Sequence, residues 1–291
     1  MSNDGALFTF YTLTPLHAGA GEAGEVVDLA IQREKHTEFP VVYSSSLKGS
    51  LRWFCDLKDH SATDRIFGKE GAETGAGEVV FTDAKILFFP VRSSEGVFKW
   101  VTSPFVLKRF KRDLQFINRA VSELASNENR DDEKGLTFNG GSEIVLEDFA
   151  LSLNGGARGI DKLASLLPKE NQEEIRERLV IVSDNVFKTL VTSATQVIAR
   201  NVLKEEEKTS ENLWYEEVVP ADTLFYTVMK PVGRIPANDA SSLNQLVRLI
   251  KNEILQVGGN ETVGYGFVKM SSDLSTIFKE QKRGGENGTT K

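Results

Sequence analysis

Between His17 and Arg52 the chain sets out three kinds of residue that chemistry can use. A glycine run comes first, His17-Ala-Gly-Ala-Gly-Glu-Ala-Gly24. One carboxylate follows inside an apolar run, Val26-Val27-Asp28-Leu29-Ala30-Ile31, leading into Gln32-Arg33-Glu34. Then comes Ser44-Ser45-Ser46-Leu47-Lys48-Gly49-Ser50-Leu51-Arg52. Glycine lets a main chain come close to a ligand. Serines at a helix start offer hydroxyls beside free N–H groups and the positive end of the dipole, a ready place for a phosphate. Lys48 in the first turn opposes that dipole, a cost that a bound anion would offset. Arg52 lies one turn further on, and Gly49 leaves room for another backbone. The set suits gripping a phosphate backbone with an acid nearby. The plainer reading is a solvated, capped helix with Asp28 as a turn cap, and the residues alone leave both open.

Other clusters extend the idea unevenly. His17 opens the loop that leads to Asp28, so it lines the same groove or is structural. His36 and His60 show no ligand spacing, and Asp28 alone cannot build a two-metal phosphoryl site. A metal there needs ligands from elsewhere or from a substrate phosphate. Lys108-Arg109-Phe110-Lys111-Arg112 puts four cations around an aromatic, either a grip on a phosphate backbone with Phe110 stacking or packing, or a solvated helix end. The loop from Gly258 and Gly259 to Gly264 and Gly266 follows a helix and precedes a strand, the reverse of a dinucleotide loop. It suits close approach to a sugar–phosphate chain instead. Residues 197–219 read as a hairpin whose acidic tip, Glu205-Glu206-Glu207, should not bind phosphates. Its stem residues Trp214 and Tyr215 could wedge between bases or pack on the core, and the hairpin could reach a neighbouring subunit.

These residues need a scaffold, and composition allows one. The chain has 291 residues, enough for one large domain or two small ones. A net charge of −7 counts against non-specific coating of nucleic acid, so any basic groove must be local. Cys55 is the sole cysteine, which excludes a disulfide framework or cysteine-rich zinc site within the chain and points to a reducing cytoplasm. No apolar run approaches membrane-spanning length, and the first residues do not read as a secretory signal.

Periodicity predicts a first strand over Leu7–Leu13, a helix over 46–58 with Leu47, Leu51, Phe54 and Cys55 on one face, and strands at Val79–Phe81, Lys85–Val91 and Val97–Val101. Ser103-Pro104 caps a further helix, with Leu114, Ile117, Val121 and Leu124 as its stripe. Residues 126–142 read as a mobile loop, Glu143–Leu151 as a strand, and 169–178 as a charged helix, with another after Ser183. Val197–Leu203, Leu213–Val219 and Thr223–Met229 are β-like. Leu243, Leu246, Val247, Ile250 and Ile254 mark an amphipathic helix, and Phe267–Met270 the last strand. The order strand, helix, inserted strands, helix, strand fits an α+β chain with a ferredoxin-like or RRM-like βαββαβ core carrying large insertions. We expect one domain over 1–275, with a core at 6–60 and 225–271, inserted regions at 61–224 that include the hairpin, and a disordered tail at 276–291.

His17…Val27-Asp28-Leu29-Ala30-Ile31-Gln32-Arg33-Glu34 and Ser44-Ser-Ser-Leu-Lys-Gly-Ser-Leu-Arg52 together resemble the repeated backbone subunit of the type III-B (Cmr) CRISPR effector complex, in the RAMP superfamily. Trp100-Val-Thr-Ser-Pro-Phe-Val-Leu-Lys-Arg-Phe110, Leu213-Trp-Tyr-Glu-Glu with Pro220-Ala-Asp-Thr-Leu-Phe-Tyr226, and Gly258–Gly266 extend the likeness over nearly the whole chain. The resemblance implies a palm with an inserted thumb hairpin, and copies stacked head to tail on a guide CRISPR RNA alongside other Cmr subunits. Each copy would cut a paired single-stranded target RNA at regular intervals. It implies Asp28 as the catalytic aspartate, also the ligand of a divalent metal, Mg²⁺. His17 would either assist proton transfer or shape the loop. It implies guide-backbone contacts at Lys48 and Arg52 and an RNA-facing loop at Gly258, Gly259, Gly264 and Gly266; the residue patterns add Ser45, Ser46, Lys108 and Arg109 as candidate RNA contacts. Ala30 stands where the family pattern has proline, which loosens the backbone past Asp28 but keeps the acid. Cleavage would proceed through the ribose 2′-OH beside the scissile phosphate, brought in line by a kinked target. Competing readings are a catalytically silent RNA-binding scaffold, a nuclease that processes the precursor guide, and a small-molecule enzyme using the glycine loop.

Overall fold

A computed structural model describes residues 5–22, 27–69, 75–118, 129–157, 159–204, 209–233 and 241–272. In chain order it gives β1 (Ala6–Thr12), β2 (Gly19–Glu22), β3 (Leu29–Ile31), β4 (Val41–Val42), α1 (Ser44–Lys58), α2 (His60–Phe67), β5 (Val79–Phe81), β6 (Ala84–Arg92), β7 (Phe98–Thr102) and α3 (Pro104–Phe116). Then come β8 (Lys134–Leu136), β9 (Glu143–Leu146), β10 (Phe149–Asn154), α4 (Ile160–Ala164), α5 (Ile175–Arg178), β11 (Leu179–Ile181) and α6 (Asp184–Ser193). The hairpin β12 (Gln196–Leu203) and β13 (Ser210–Val218) follows, then β14 (Leu224–Pro231), α7 (Ser241–Ile250), β15 (Ile254–Gln256) and β16 (Phe267–Ser271).

The chain is α+β. Its larger sheet runs β15-β16-β1-β14-β6-β7-β11-β8-β10-β9, with β4 and β5 attached to β6 and β14. At its centre β16, β1, β14 and β6 lie side by side, each antiparallel to the next. β1 is buried along almost its whole length because both faces are covered. Phe10 stacks on Phe225 at 5.1 Å, while Thr9 on the opposite face donates its hydroxyl to the Leu166 carbonyl. Leu47, Leu51 and Cys55 bury one stripe of α1, as the heptad spacing predicts, and α1 packs beside α2 and α7. Burial pushes the Cys55 thiol up to about 12, so it is inert packing at neutral pH.

A second sheet, ordered β12-β13-β3-β2, is small and distinct. Here β3 runs parallel to β13 through Leu29 and Glu216, and antiparallel to β2.

Several expectations need correction. The glycine loop is partly a strand: β2 pairs with β3, and Gly21 takes a positive φ of 91° at the irregularity between them. The loop expected at 126–142 contains β8, which pairs with β10 and β11. Glu143–Leu151 divides into β9 and β10 around Glu147, whose positive φ turns the chain back. Within 169–178 only a short 3₁₀ turn and α5 form. β6, placed among the insertions, pairs directly with β14 at the centre of the sheet. The tail at 276–291, the tip residues Glu205–Glu207, Gly24, Val121 and Leu124 lie outside the described residues.

Candidate functional site

Asp28 immediately precedes β3 and is exposed. Its Oδ2 accepts a hydrogen bond of 2.7 Å from the Tyr215 backbone N–H on β13. One carboxylate oxygen is thereby fixed to the hairpin strand. His17 is held two residues further along that strand: it is buried, with Nδ1 at 2.7 Å from the Glu217 carbonyl. A carbonyl oxygen only accepts, so Nδ1 carries a proton and donates it to that carbonyl. Nε2 lies 3.7 Å from Glu216 Oε1.

Successive strand residues point to opposite faces, so Glu216 and Glu217 organise different sides of the hairpin. Glu216 accepts from Arg200 Nε at 3.0 Å and from the Asn260 amide, and Arg200 lies over the Tyr265 ring. Glu217 accepts from Arg33, from the Ile31 N–H at 3.1 Å and from the Thr195 hydroxyl at 2.7 Å. One acid thus ties the hairpin to the glycine loop, and the other ties it to β3. Sequence reasoning passed over both. The available signal was a pair of acids followed by Val218-Val219 in a β-like run, where each buried charge demands partners.

The glycine loop reaches the same place. Gly259 donates to the His17 carbonyl at 2.8 Å. A side chain at Gly258, where φ is +85°, would put Cβ 2.3 Å from that carbonyl oxygen. At Gly266 a Cβ would lie 2.0 Å from the Val257 oxygen. These two glycines therefore serve close approach within the chain. Gly264 has open space around it.

Gln32 connects this group to α1. Its amide donates to the Gly19 carbonyl and to Ser46 Oγ, both at 3.0 Å, and its carbonyl accepts from Tyr43 N at 2.7 Å. The serine cap expected for α1 does not form. The helix begins earlier, at Ser44, and the Ser44 N–H is taken by Asp83 Oδ1 at 2.7 Å. Ser45 and Gly49 are exposed on the outer side of α1, Lys48 lies over the Phe81 ring, and Arg52 pairs with Asp64 while donating to the Gly68 carbonyl.

On α3 the basic run separates. Lys108 is exposed. Arg109 is buried, with Nη1 at 2.8 and 2.6 Å from the two Glu34 oxygens and its guanidinium over the Phe39 and Phe105 rings. Phe110 is enclosed and edge-on to Tyr226. Arg109 and Phe110 are core residues here, which corrects their reading as a surface grip.

The structure thus joins His17, the Asp28 strand, the start of α1 and the 258–266 loop. Among the described residues no three His, Cys, Asp or Glu side chains gather as a metal site.

The sequence pattern of the RAMP superfamily matches residues 9–269. The chain belongs to the RAMP superfamily. The CRISPR system Cmr endoribonuclease Cmr4 of Pyrococcus furiosus is 41% identical over 282 residues, covering 91% of this RAMP chain and 94% of the relative. The crystal structure of oligomeric Cmr4 from Pyrococcus furiosus superposes with a TM-score of 0.75 at 36% identity, over 93% and 98% of the two chains. A chain in the type III-B Cmr-beta complex bound to cognate target RNA gives a TM-score of 0.78 at 22% identity, over 94% and 98%, a likeness of fold. The bonded group described above lies within the matched span of this RAMP chain.

Proposed function

We propose that this chain is the repeated guide-RNA-binding subunit of a type III-B CRISPR effector complex. Copies stack head to tail along the guide, with other Cmr subunits, and each cuts the paired target RNA. The observation that carries the reading is Asp28, an exposed acid fastened to the hairpin strand in a chain 41% identical to a named Cmr endoribonuclease. Head-to-tail contacts use two different patches and need not close, so a stack can follow a linear polymer. Guide pairing supplies sequence choice, as in other RNA-guided systems.

A ferredoxin-like palm is part of the proposal. Its support is the central order β16-β1-β14-β6 with α1 and α7 as the two helices. We take the palm as β1, α1, β6, β14, α7 and β16 within one domain, and β12–β13 as the thumb.

Asp28 assists removal of the proton from the ribose 2′-OH, whose oxygen attacks the adjacent phosphate; a 2′,3′-cyclic phosphate forms as the P–O5′ bond breaks, and the departing 5′ oxygen takes a proton from water. His17, locked between the Glu217 carbonyl and the glycine loop, sets the geometry of that loop. Ser45 and Lys48 at the start of α1, with Arg52 one turn further along it, meet the guide backbone, together with Lys108 and the open side of Gly264. A single carboxylate suits Mg²⁺, which is commonly held by one or two carboxylates plus substrate phosphates. When bound, the ion would stabilise charge on the scissile phosphate.

The test is D28N in a complex assembled on guide RNA. The ladder of target fragments should vanish while assembly and guide binding persist. A full ladder from the variant overturns the reading.

A further inference from the structure

We propose that Tyr215 is the stacking platform for the target nucleobase beside the cut, a positioning residue whose role rests on the reading of Asp28 just given. The Tyr215 N–H holds Asp28 Oδ2 at 2.7 Å. The acid and the phenol are therefore joined through one residue of β13. A ribose whose 2′-OH reaches Asp28 carries its base within one sugar's width of that residue.

The ring is free to receive it. Tyr215 is 47% exposed although it stands in the middle of a strand. Its cross-strand partner is Ala199, too small to cover an aromatic face. Alternation puts Leu213 and Val197 on the same side of the hairpin, and both are more than half exposed. The result is an open apolar strip of Leu213, Tyr215 and Val197, closed at its base by Glu217, whose charge is taken up by Arg33, and lying beside an exposed carboxylate. A phosphate would gain nothing there, whereas every base has a π-face that an aromatic ring can stack on without reading its identity. Stacking would hold the nucleotide in the bent arrangement that in-line attack requires.

Any substitution at 215 other than proline keeps the backbone N–H that holds Asp28, so the side chain can be tested separately from the acid. The complex is assembled on guide RNA and single-turnover cutting is followed at each interval. The target is either normal or carries one abasic nucleotide at the residue bearing the attacking 2′-OH. In the wild type the abasic nucleotide should slow its own interval about tenfold. Y215A should slow every interval by a similar factor and lose sensitivity to the abasic position, with target affinity unchanged. Y215F should restore both rate and sensitivity.

Equal abasic slowing in wild type and Y215A would overturn the inference. So would Y215A complexes that form short stacks yet cut at the normal rate per intact copy, since the ring would then cover a neighbouring protein. D28N run in parallel separates the two readings: if D28N is silent and the coupling is absent, only the role of Tyr215 falls; if D28N cuts, the parent reading falls.

Discussion

The guanidinium at position 109 lies on the buried stripe of α3, among Val106, Phe110 and Leu114. Asp113, one turn on, shares that stripe and takes Lys85 and Tyr226 as partners. Read as a string, Lys-Arg-Phe-Lys-Arg looks like a surface grip. Read on a helix of 3.6 residues per turn, positions 109 and 113 fall inside, and the positional signal was available. Arg109→Ala would leave the part-buried Glu34 with only the Thr37 hydroxyl as a partner, which costs about 2–3 kcal/mol. Urea unfolding should show that loss, and unchanged stability with weakened RNA binding would contradict the buried role. Gly258→Ala should be as informative. Its φ of +85° and the nearby His17 carbonyl leave no place for Cβ, so we expect at least about 1–3 kcal/mol lost. Cutting should fall as the loop leaves His17, measured on complexes that still assemble. Chelation with EDTA should abolish cutting and added Mg²⁺ restore it, and undiminished cutting in EDTA would remove the metal from the proposal.

At the scale of elements, capped and strongly periodic segments were readable. Ser103 and Ser183 cap α3 and α6, each accepting from the N–H three residues on. The amphipathic stripes of α1 and α7 also form, but α7 ends at Ile250, and Ile254, read as the last residue of its stripe, instead begins β15 and is exposed. Short strands were not readable. β2 is nearly all small residues and is held by β3, and β8 sits in a polar stretch held by β10. Their pairing is decided by partners distant in sequence, which local composition does not carry. The start of α1 is a related case, because its first N–H finds Asp83 across the fold rather than a neighbouring serine. Asp83→Ala should cost about 1 kcal/mol, and Ser46→Ala should not reproduce a lost cap. Thermal melts of the two variants decide between them.

For the molecule as a whole, net charge and groove charge act separately. The total of −7 is compatible with RNA binding if a few cations meet phosphates, and guide affinity should then fall steeply with added salt. Acid stability follows from Asp113. Burial alone would push its carboxyl up, but Lys85, Tyr226 and Arg112 hold it below the usual range. A group with a depressed folded pKa stabilises the fold above its unfolded value, about 4, and that contribution is lost as pH falls through the folded value. Asp113→Asn should flatten the acid limb of a stability-versus-pH curve, and an unchanged limb would assign acid unfolding elsewhere.

The small sheet has one more implication. Asp28 is fastened to β13, one strand of the β12–β13 ribbon, so a shift of that ribbon carries the acid with it. A misfit in the duplex that tilts one ribbon would drag its carboxylate off target, while the next protomer, with its own lever, would go on cutting. Fidelity would then be judged locally, slot by slot, with no signal passed along the row.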